Sequence, residues 1–361
     1  MAEKLRVGII GCGGIANGKH LPSMKISNKF EIVAFCDIVE ERATKAAAEY
    51  GTADAKAYTD YKKLLTDKTI DAVYVLTPNK SHSFISIDAM EAGKHVLCEK
   101  PMAKTAKEAR EMVAVSKRTG KILTIGYQNR YAANTWHLKE AADRGDFGDI
   151  YFARGHALRR RAVPTWGVFL NEEEQGGGPL IDIGTHALDM TLWIMNNYKP
   201  KTVVGNIYHK LNSNGVCGNT FGNWDPKEFT VEDSAFGFIT MENGATIILE
   251  SSWALNVLEY AEAQTTICGT KGGADMRDNG VRINGDDLGR LYEKVPNLSG
   301  GSGVAFYEGA SSDPGVTEQM VFYNAITKGS DLVILPEQAC VVTEILEAIY
   351  ESARTGKMVT F

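Results

Sequence analysis

Leu5-Arg6-Val7-Gly8-Ile9-Ile10-Gly11-Cys12-Gly13-Gly14-Ile15-Ala16 opens the chain with a compact apolar run that ends in a glycine-rich turn. Hydrophobic residues without alternation, closed by glycine, mark a strand buried on both faces. The turn has the spacing GxGxxA. Gly11 permits a tight reversal, Gly13 lets backbone approach a pyrophosphate, and Ala16 allows the next helix to lie against the strand. That helix aims its first N–H groups at the phosphates. Taken alone, the pattern is equally compatible with a purely steric turn.

Residues downstream separate the two readings. Apolar runs recur at 31–37, 72–76, 95–99 and 122–126, with helical stretches at 40–50, 82–92 and 106–119 between them. Such alternation predicts a parallel sheet with helices on both faces. The second run ends in Asp37, 24 positions after Gly13. A carboxylate there can accept hydrogen bonds from the adenosine ribose hydroxyls and repels a 2′-phosphate. Ile38 and Val39 follow instead of Arg or Ser, so NAD is expected over NADP. Asp37 can also cap the helix that begins near Glu40, and the two roles are compatible.

The second half reads differently. Segments 150–157, 202–210, 234–241, 245–253 and 261–268 alternate polar and apolar residues and are joined by short turns such as Glu242-Asn243-Gly244. That is the grammar of antiparallel hairpins. The expected fold is α/β: an N-terminal Rossmann domain with a doubly wound parallel sheet over residues 1–126, and a C-terminal α+β domain with a large, mainly antiparallel open sheet over residues 127–361. Residues 135–143, 315–328 and 336–355 read as helices, the last returning toward the Rossmann domain. Residues 212–223 and 299–303 read as loops that shape specificity. An open sheet leaves one face for solvent or another subunit, so a homo-oligomer, tetramer or dimer, is expected.

Composition narrows the function classes. The 361 residues are 44% hydrophobic and 23% charged, with a formal net charge of −6, which suits a globular protein of about two domains. The one basic cluster, Arg159-Arg160-Arg161, is too short to track a nucleic-acid backbone or an anionic membrane. No apolar run reaches membrane-span length, and the first strand follows Met1-Ala2-Glu3-Lys4 too closely for a signal peptide. Six scattered cysteines show no CxxC or Cys/His spacing, so no metal site is expected and a reducing cytoplasm fits.

The segment that carries acid–base chemistry is Gly176-Gly177-Gly178-Pro179-Leu180-Ile181-Asp182-Ile183-Gly184-Thr185-His186-Ala187-Leu188-Asp189. Its Gly-Pro opening and apolar period predict a helix. Asp182, His186 and Asp189, at spacings of four and three, share a face, while Leu180, Ile183, Ala187, Met190 and Ile194 form the packed side. A carboxylate one turn before a histidine can orient its ring and raise its basicity, which suits proton removal from an alcohol. The alternative is a capping Asp and a core His. Asp189 is read as a hydrogen-bonding residue.

Two further stretches, Leu76-Thr77-Pro78-Asn79-Lys80-Ser81-His82 and Cys98-Glu99-Lys100-Pro101-Met102-Ala103, fall at carboxyl ends of predicted parallel strands, where doubly wound sheets bind ligands. Together with GCGGIA and the DxGxxHxxD pattern they make the whole chain resemble the glucose–fructose oxidoreductase / inositol dehydrogenase / MocA family (Gfo/Idh/MocA), EKP being the most specific element. The resemblance implies a cis bond before Pro101. It places Gly11, Gly13, Gly14, Ile15, Asp37, Leu76, Thr77, Pro78, Asn79, His82, Glu99, Lys100, Gln128, Asn129 and Trp166 around the cofactor, NAD, and leaves open whether it stays tightly bound. It places Lys100, Tyr127, Arg160, Trp166, Asp182 and His186 around the substrate, with Lys100, Asp182 and His186 catalytic. Trp166 lies on the family's variable loop and either covers the nicotinamide, stacks on a sugar ring, or is an ordinary half-buried aromatic.

The implied activity is oxidation of a secondary hydroxyl of a sugar, glycoside or polyol. The run from Gly155 to Asp189 resembles members that oxidise glucosyl groups at C3. Three alternatives remain open from sequence: an inositol or free-sugar dehydrogenase, an NAD-dependent glycosidase working by oxidation and elimination, and a non-catalytic NAD-sensing protein. Retention of Lys100, Asp182 and His186 argues against the last.

Overall fold

The structure is a computed structural model, and it describes residues 4–214, 218–277, 280–298 and 313–361. The described chain divides into two compact units. One takes residues up to 131 together with those of 303–340; the other takes those of 132–302 together with 341–361.

The first unit is built on a six-stranded, all-parallel sheet: β1 (Leu5–Ile10), β2 (Phe30–Cys36), β3 (Lys56–Tyr58), β4 (Ala72–Val75), β5 (His95–Cys98) and β6 (Leu123–Ile125). Their order is β3-β2-β1-β4-β5-β6, so the chain reverses direction between β1 and β4. Ligands of such sheets bind outside the strand ends at that switch point. Every residue of β4 is buried, as its unbroken apolar run requires. β3 is a short edge strand, exposed at Lys56 and Ala57, and its Lys-Ala-Tyr sequence carries no apolar signal.

Three helices named from sequence form in this unit: Glu40–Tyr50, His82–Glu91 and Ala106–Thr119, the last opened by a capping box between Thr105 and Glu108. A late helix, Pro314–Lys328, completes this unit's core. Its Phe322 stacks edge-on to Tyr74 at 5.6 Å, and its Tyr323 does the same to Phe30 at 6.0 Å.

The second unit carries a nine-stranded sheet, ordered β14-β13-β12-β11-β7-β10-β9-β8-β15. Its strands are β7 (Ile150–Leu158), β8 (Pro200–Tyr208), β9 (Ser234–Met241), β10 (Thr246–Ser252), β11 (Glu262–Gly269), β12 (Gly272–Arg277), β13 (Gly280–Asp287), β14 (Arg290–Lys294) and β15 (Val359–Thr360). β10 pairs parallel with β7, and the other neighbours run antiparallel. The sequence showed five of these strands. β12 to β14 are rich in Gly, Asp and Arg, and every residue of β14 is exposed, so no apolar alternation announced them.

One face of this sheet is covered by helices. A Cβ on Gly155 would press on Thr191 and Ala187 of the helix Thr185–Met195, and a Cβ on Gly205 or Gly237 would strike Ile349 of the helix Pro336–Thr355. On the opposite face, Val204, Phe238 and Ile248 stand in one cross-strand row, with Val204 47% and Phe238 50% exposed. Residues 299–303, expected to form a loop, lie outside the described residues.

Candidate active site

The cofactor half is assembled at the β1 switch point. Gly11 has φ +96°, and a Cβ there would lie 2.5 Å from the Leu76 carbonyl, so only glycine fits. Gly13 and Gly14 look the other way: a Cβ on either would meet nothing within 4 Å. The turn therefore presents an open cradle of backbone where a pyrophosphate is expected. Asn17 braces it by donating to the carbonyls of Cys12 (2.9 Å) and Gly13 (2.8 Å). Ala16 is buried, Ile15 stands partly exposed, and a π-helical turn, Ala16–His20, leads into Leu21–Ser27.

Asp37 sits beside this cradle. Its Oδ2 accepts the Cys12 N–H and its Oδ1 accepts the Val39 N–H, both at 2.9 Å. Val39 precedes the helix Glu40–Tyr50, so Asp37 helps turn the chain into that helix and still has lone pairs on both oxygens. Ile38, next to it, is 91% exposed.

At the end of β4, Leu76 is buried and its N–H donates to the Ile10 carbonyl. Thr77 and Asn79 are half-buried and Pro78 is exposed. His82 is buried, with Nδ1 2.7 Å from the Pro101 carbonyl and Nε2 2.8 Å from the Thr77 carbonyl. Burial pushes its imidazole below the usual range. The ring thus lies between the carbonyls of Thr77 and Pro101, and the Lys100-Pro101 peptide just before the second is cis.

Glu99 is a buried hub. Its Oε1 meets Lys19 Nζ at 2.9 Å and His20 Nε2 at 2.8 Å, and its Oε2 accepts the Lys100 N–H at 3.0 Å. Burial by itself would raise the carboxyl, but Lys19 and His20 hold it well below the usual carboxylate range. Lys19 also pairs with Glu318 at 3.0 Å. Gln319 joins His20 at 3.1 Å and accepts from the Tyr74 hydroxyl at 2.6 Å. Lys100, at the end of β5, is half-buried, as are Gln128 and Asn129; Tyr127 is wholly buried.

The second unit holds Asp182 and His186. Residues 180–195 form one continuous helix: a π-helical turn, Leu180–Gly184, followed by Thr185–Met195. From Leu180 to Ile194 every residue is buried except Asp182 and His186. Asp189 shares their predicted face but is itself buried. The two candidates for chemistry are therefore the two positions between Leu180 and Ile194 that solvent reaches.

The helix start is held by a carboxylate that the sequence reading missed. Glu232 accepts the N–H groups of Gly178 (2.8 Å) and Leu180 (3.1 Å) and the hydroxyl of Tyr350 (2.9 Å). A Cβ on Gly177 would run into the Tyr350 hydroxyl, and one on Gly178 into the Glu232 carbonyl, which accounts for the glycine run before Pro179. Burial pushes the Glu232 carboxyl up to about 7 despite these bonds. The Trp253 indole N–H donates to Asp182 Oδ2 at 3.0 Å.

After β7, Arg159 pairs with Glu262 while Arg160 is exposed. Trp166 is 51% exposed and stands edge-on to Phe221 at 4.8 Å and to Phe169 at 5.8 Å. Among the described residues no cluster of His, Cys, Asp or Glu is arranged to hold a metal ion, and no helix is long and apolar enough to cross a membrane.

The open cradle at Gly13-Gly14, the Asp37 carboxylate and the helix behind them fit a dinucleotide. Residues 5–127 match the model of an oxidoreductase family with an NAD-binding Rossmann fold (Gfo/Idh/MocA), and residues 135–275 match that family's C-terminal domain. The chain is 36% identical over 358 residues to the D-glucoside 3-dehydrogenase of Escherichia coli, covering 99% of this chain and 98% of that one. This chain belongs to the Gfo/Idh/MocA oxidoreductase family.

Other relatives agree. The Gfo/Idh/MocA protein described here is 31% identical to the myo-inositol 2-dehydrogenase of Thermotoga maritima over 191 residues, 53% of this chain and 55% of the other. Its fold matches that of levoglucosan dehydrogenase, solved in complex with NADH and levoglucosan, with a TM-score of 0.83 at 21% identity, covering 99% of each chain.

Proposed function

We propose that this Gfo/Idh/MocA oxidoreductase oxidises a secondary hydroxyl of a sugar, glycoside or polyol with NAD, and that its substrate carries a glucosyl group oxidised at C3. The observation that supports the substrate class best is the end-to-end similarity to a D-glucoside 3-dehydrogenase.

Bound NAD supplies the hydride acceptor. This chain's residues supply the rest. His186 removes the hydroxyl proton, and Asp182, one turn earlier, orients its ring and stabilises the charged form. The Lys100 ammonium hydrogen-bonds the same oxygen and stabilises the charge that develops there. Proton management of this kind is worth about 10²–10⁴-fold. Asp37 selects NAD through the adenosine ribose. The Gly13-Gly14 turn, braced by Asn17, would hold the pyrophosphate.

The test is a panel of alkyl and aryl glucosides, free sugars and inositols, read by NADH formation and by mass spectrometry of the product and of any copurified cofactor. A 3-keto glucoside with stoichiometric NADH supports the reading. Release of the aglycone without net NADH replaces it with a glycosidase. NADH from inositols alone moves the substrate to cyclic polyols.

A further inference from the structure

Trp253 lies just after β10, outside every motif in the sequence. Among the described residues it is the largest of the wholly buried side chains, at 0% exposure. Its indole N–H is its one polar side-chain atom and donates to Asp182 Oδ2 at 3.0 Å. The residue cannot drift. Its own N–H donates to the Asp233 carbonyl at 3.2 Å, its carbonyl accepts the Ala162 N–H at 2.9 Å, and its ring packs against Phe229 with centroids 6.2 Å apart.

We propose that Trp253 is a positioning residue for the proton-transfer pair: its indole fixes one oxygen of Asp182 and so sets the orientation in which the carboxylate addresses His186. The inference rests on the catalytic reading of Asp182 and His186. A carboxylate's terminal torsion is broad and nearly two-fold, so backbone position does not settle where its oxygens point. A single donor on an immobile ring does. An indole only donates, so it cannot take the proton that His186 removes, and its bond to Asp182 favours the ionised carboxylate. Arg159, whose charge also acts on Asp182, is paired with Glu262 through two bonds of 2.5 Å.

A buried indole needs an acceptor whatever its role, so the test must move something a mere partner would not. Trp253→Phe keeps an aromatic ring and removes the N–H. In the full-length, NAD-loaded enzyme it is expected to lower kcat by about 10- to 100-fold through misorientation, with sugar KM and NAD affinity within about twofold of the parent. In an Asp182→Ala background, where the indole has nothing to hold, the same change is expected to cost no further activity. Unchanged kcat in Trp253→Phe beside a crippled Asp182→Ala overturns the proposal and leaves the catalytic reading standing. Near-normal turnover of Asp182→Ala overturns both. Equal losses in the two backgrounds also overturn it. Should Trp253→Phe fail to fold, Trp253→His retains a ring N–H donor in the site and is expected to keep kcat within about tenfold of the parent; a larger loss in a folded protein contradicts the proposal.

Discussion

The Cys12 N–H donates to Asp37 Oδ2 at 2.9 Å, which ties the glycine turn after β1 to the carboxylate that closes β2. One short bond fixes both ends of the dinucleotide cradle relative to each other. Asp37→Ala removes a charged acceptor worth roughly 1.5–3 kcal/mol per bond, so NAD affinity is expected to fall about 10- to 100-fold and the NAD/NADP preference to narrow. Fluorescence titration with both cofactors checks this. An unmodified enzyme that uses both equally well contradicts the assignment.

Lys19 sits between two buried carboxylates, Glu99 and Glu318. Burial alone would lower its ammonium, but the two acids outweigh it and raise it. Lys19→Met leaves those acids facing each other without its ammonium and is expected to cost about 3–5 kcal/mol. Adding Glu318→Gln is expected to recover part of that loss. Urea unfolding of the three proteins decides it, and a loss below about 1 kcal/mol in Lys19→Met counts against the network.

Glu232 gives a pH signature. Its carboxyl is raised to about 7 in the fold, so the folded state holds a proton that the unfolded chain releases earlier. The contribution is fully present below the ordinary carboxyl range and is lost as pH rises toward about 7, on the order of 3 kcal/mol. Glu232→Gln cannot titrate and is expected to flatten this part of the profile. Unfolding midpoints measured at intervals from pH 4.5 to 8 test it; an identical slope in the variant rules Glu232 out as the source.

The row of exposed Val204 and Phe238 with half-buried Ile248 lies on the sheet face opposite the helices. Covering it with a second copy removes apolar surface from water, so a homo-oligomer, tetramer or dimer, is expected. Light scattering at micromolar concentration is expected to give a multiple of the chain mass, and Phe238→Glu to reduce it. A monomeric parent protein contradicts the expectation.

The sequence carried the parallel sheet because its strands are unbroken apolar runs, and it carried the helix that holds Asp182 and His186 because these residues and their apolar neighbours keep helical spacing. It also carried the cis Lys100-Pro101 peptide, through a family motif. What it hid depends on distance along the chain. Helix Pro314–Lys328 joins the first unit through Phe322 and Tyr323, and nothing local announces that pairing. Glu232, Tyr350 and Trp253 reach the helix at Leu180 from far downstream. Only the run Gly176-Gly177-Gly178 hinted at a close approach there. His82 and Glu99, expected around the cofactor, prove to be buried and bonded to protein groups. Their side chains hold the turns that carry Thr77 and Lys100, a role that motif spacing alone does not reveal.

Steady-state sugar oxidation by Lys100→Ala, Asp182→Asn and His186→Ala, with NAD affinity measured separately, tests the central claim most directly. The account predicts intact NAD binding in all three, kcat losses of about 10²–10⁴-fold in Lys100→Ala and His186→Ala even at saturating substrate, and a smaller loss in Asp182→Asn. It also predicts partial recovery of His186→Ala at high pH, where hydroxide takes the proton. Near-normal turnover of His186→Ala with collapsed NAD binding would contradict it and make His186 a cofactor or structural residue.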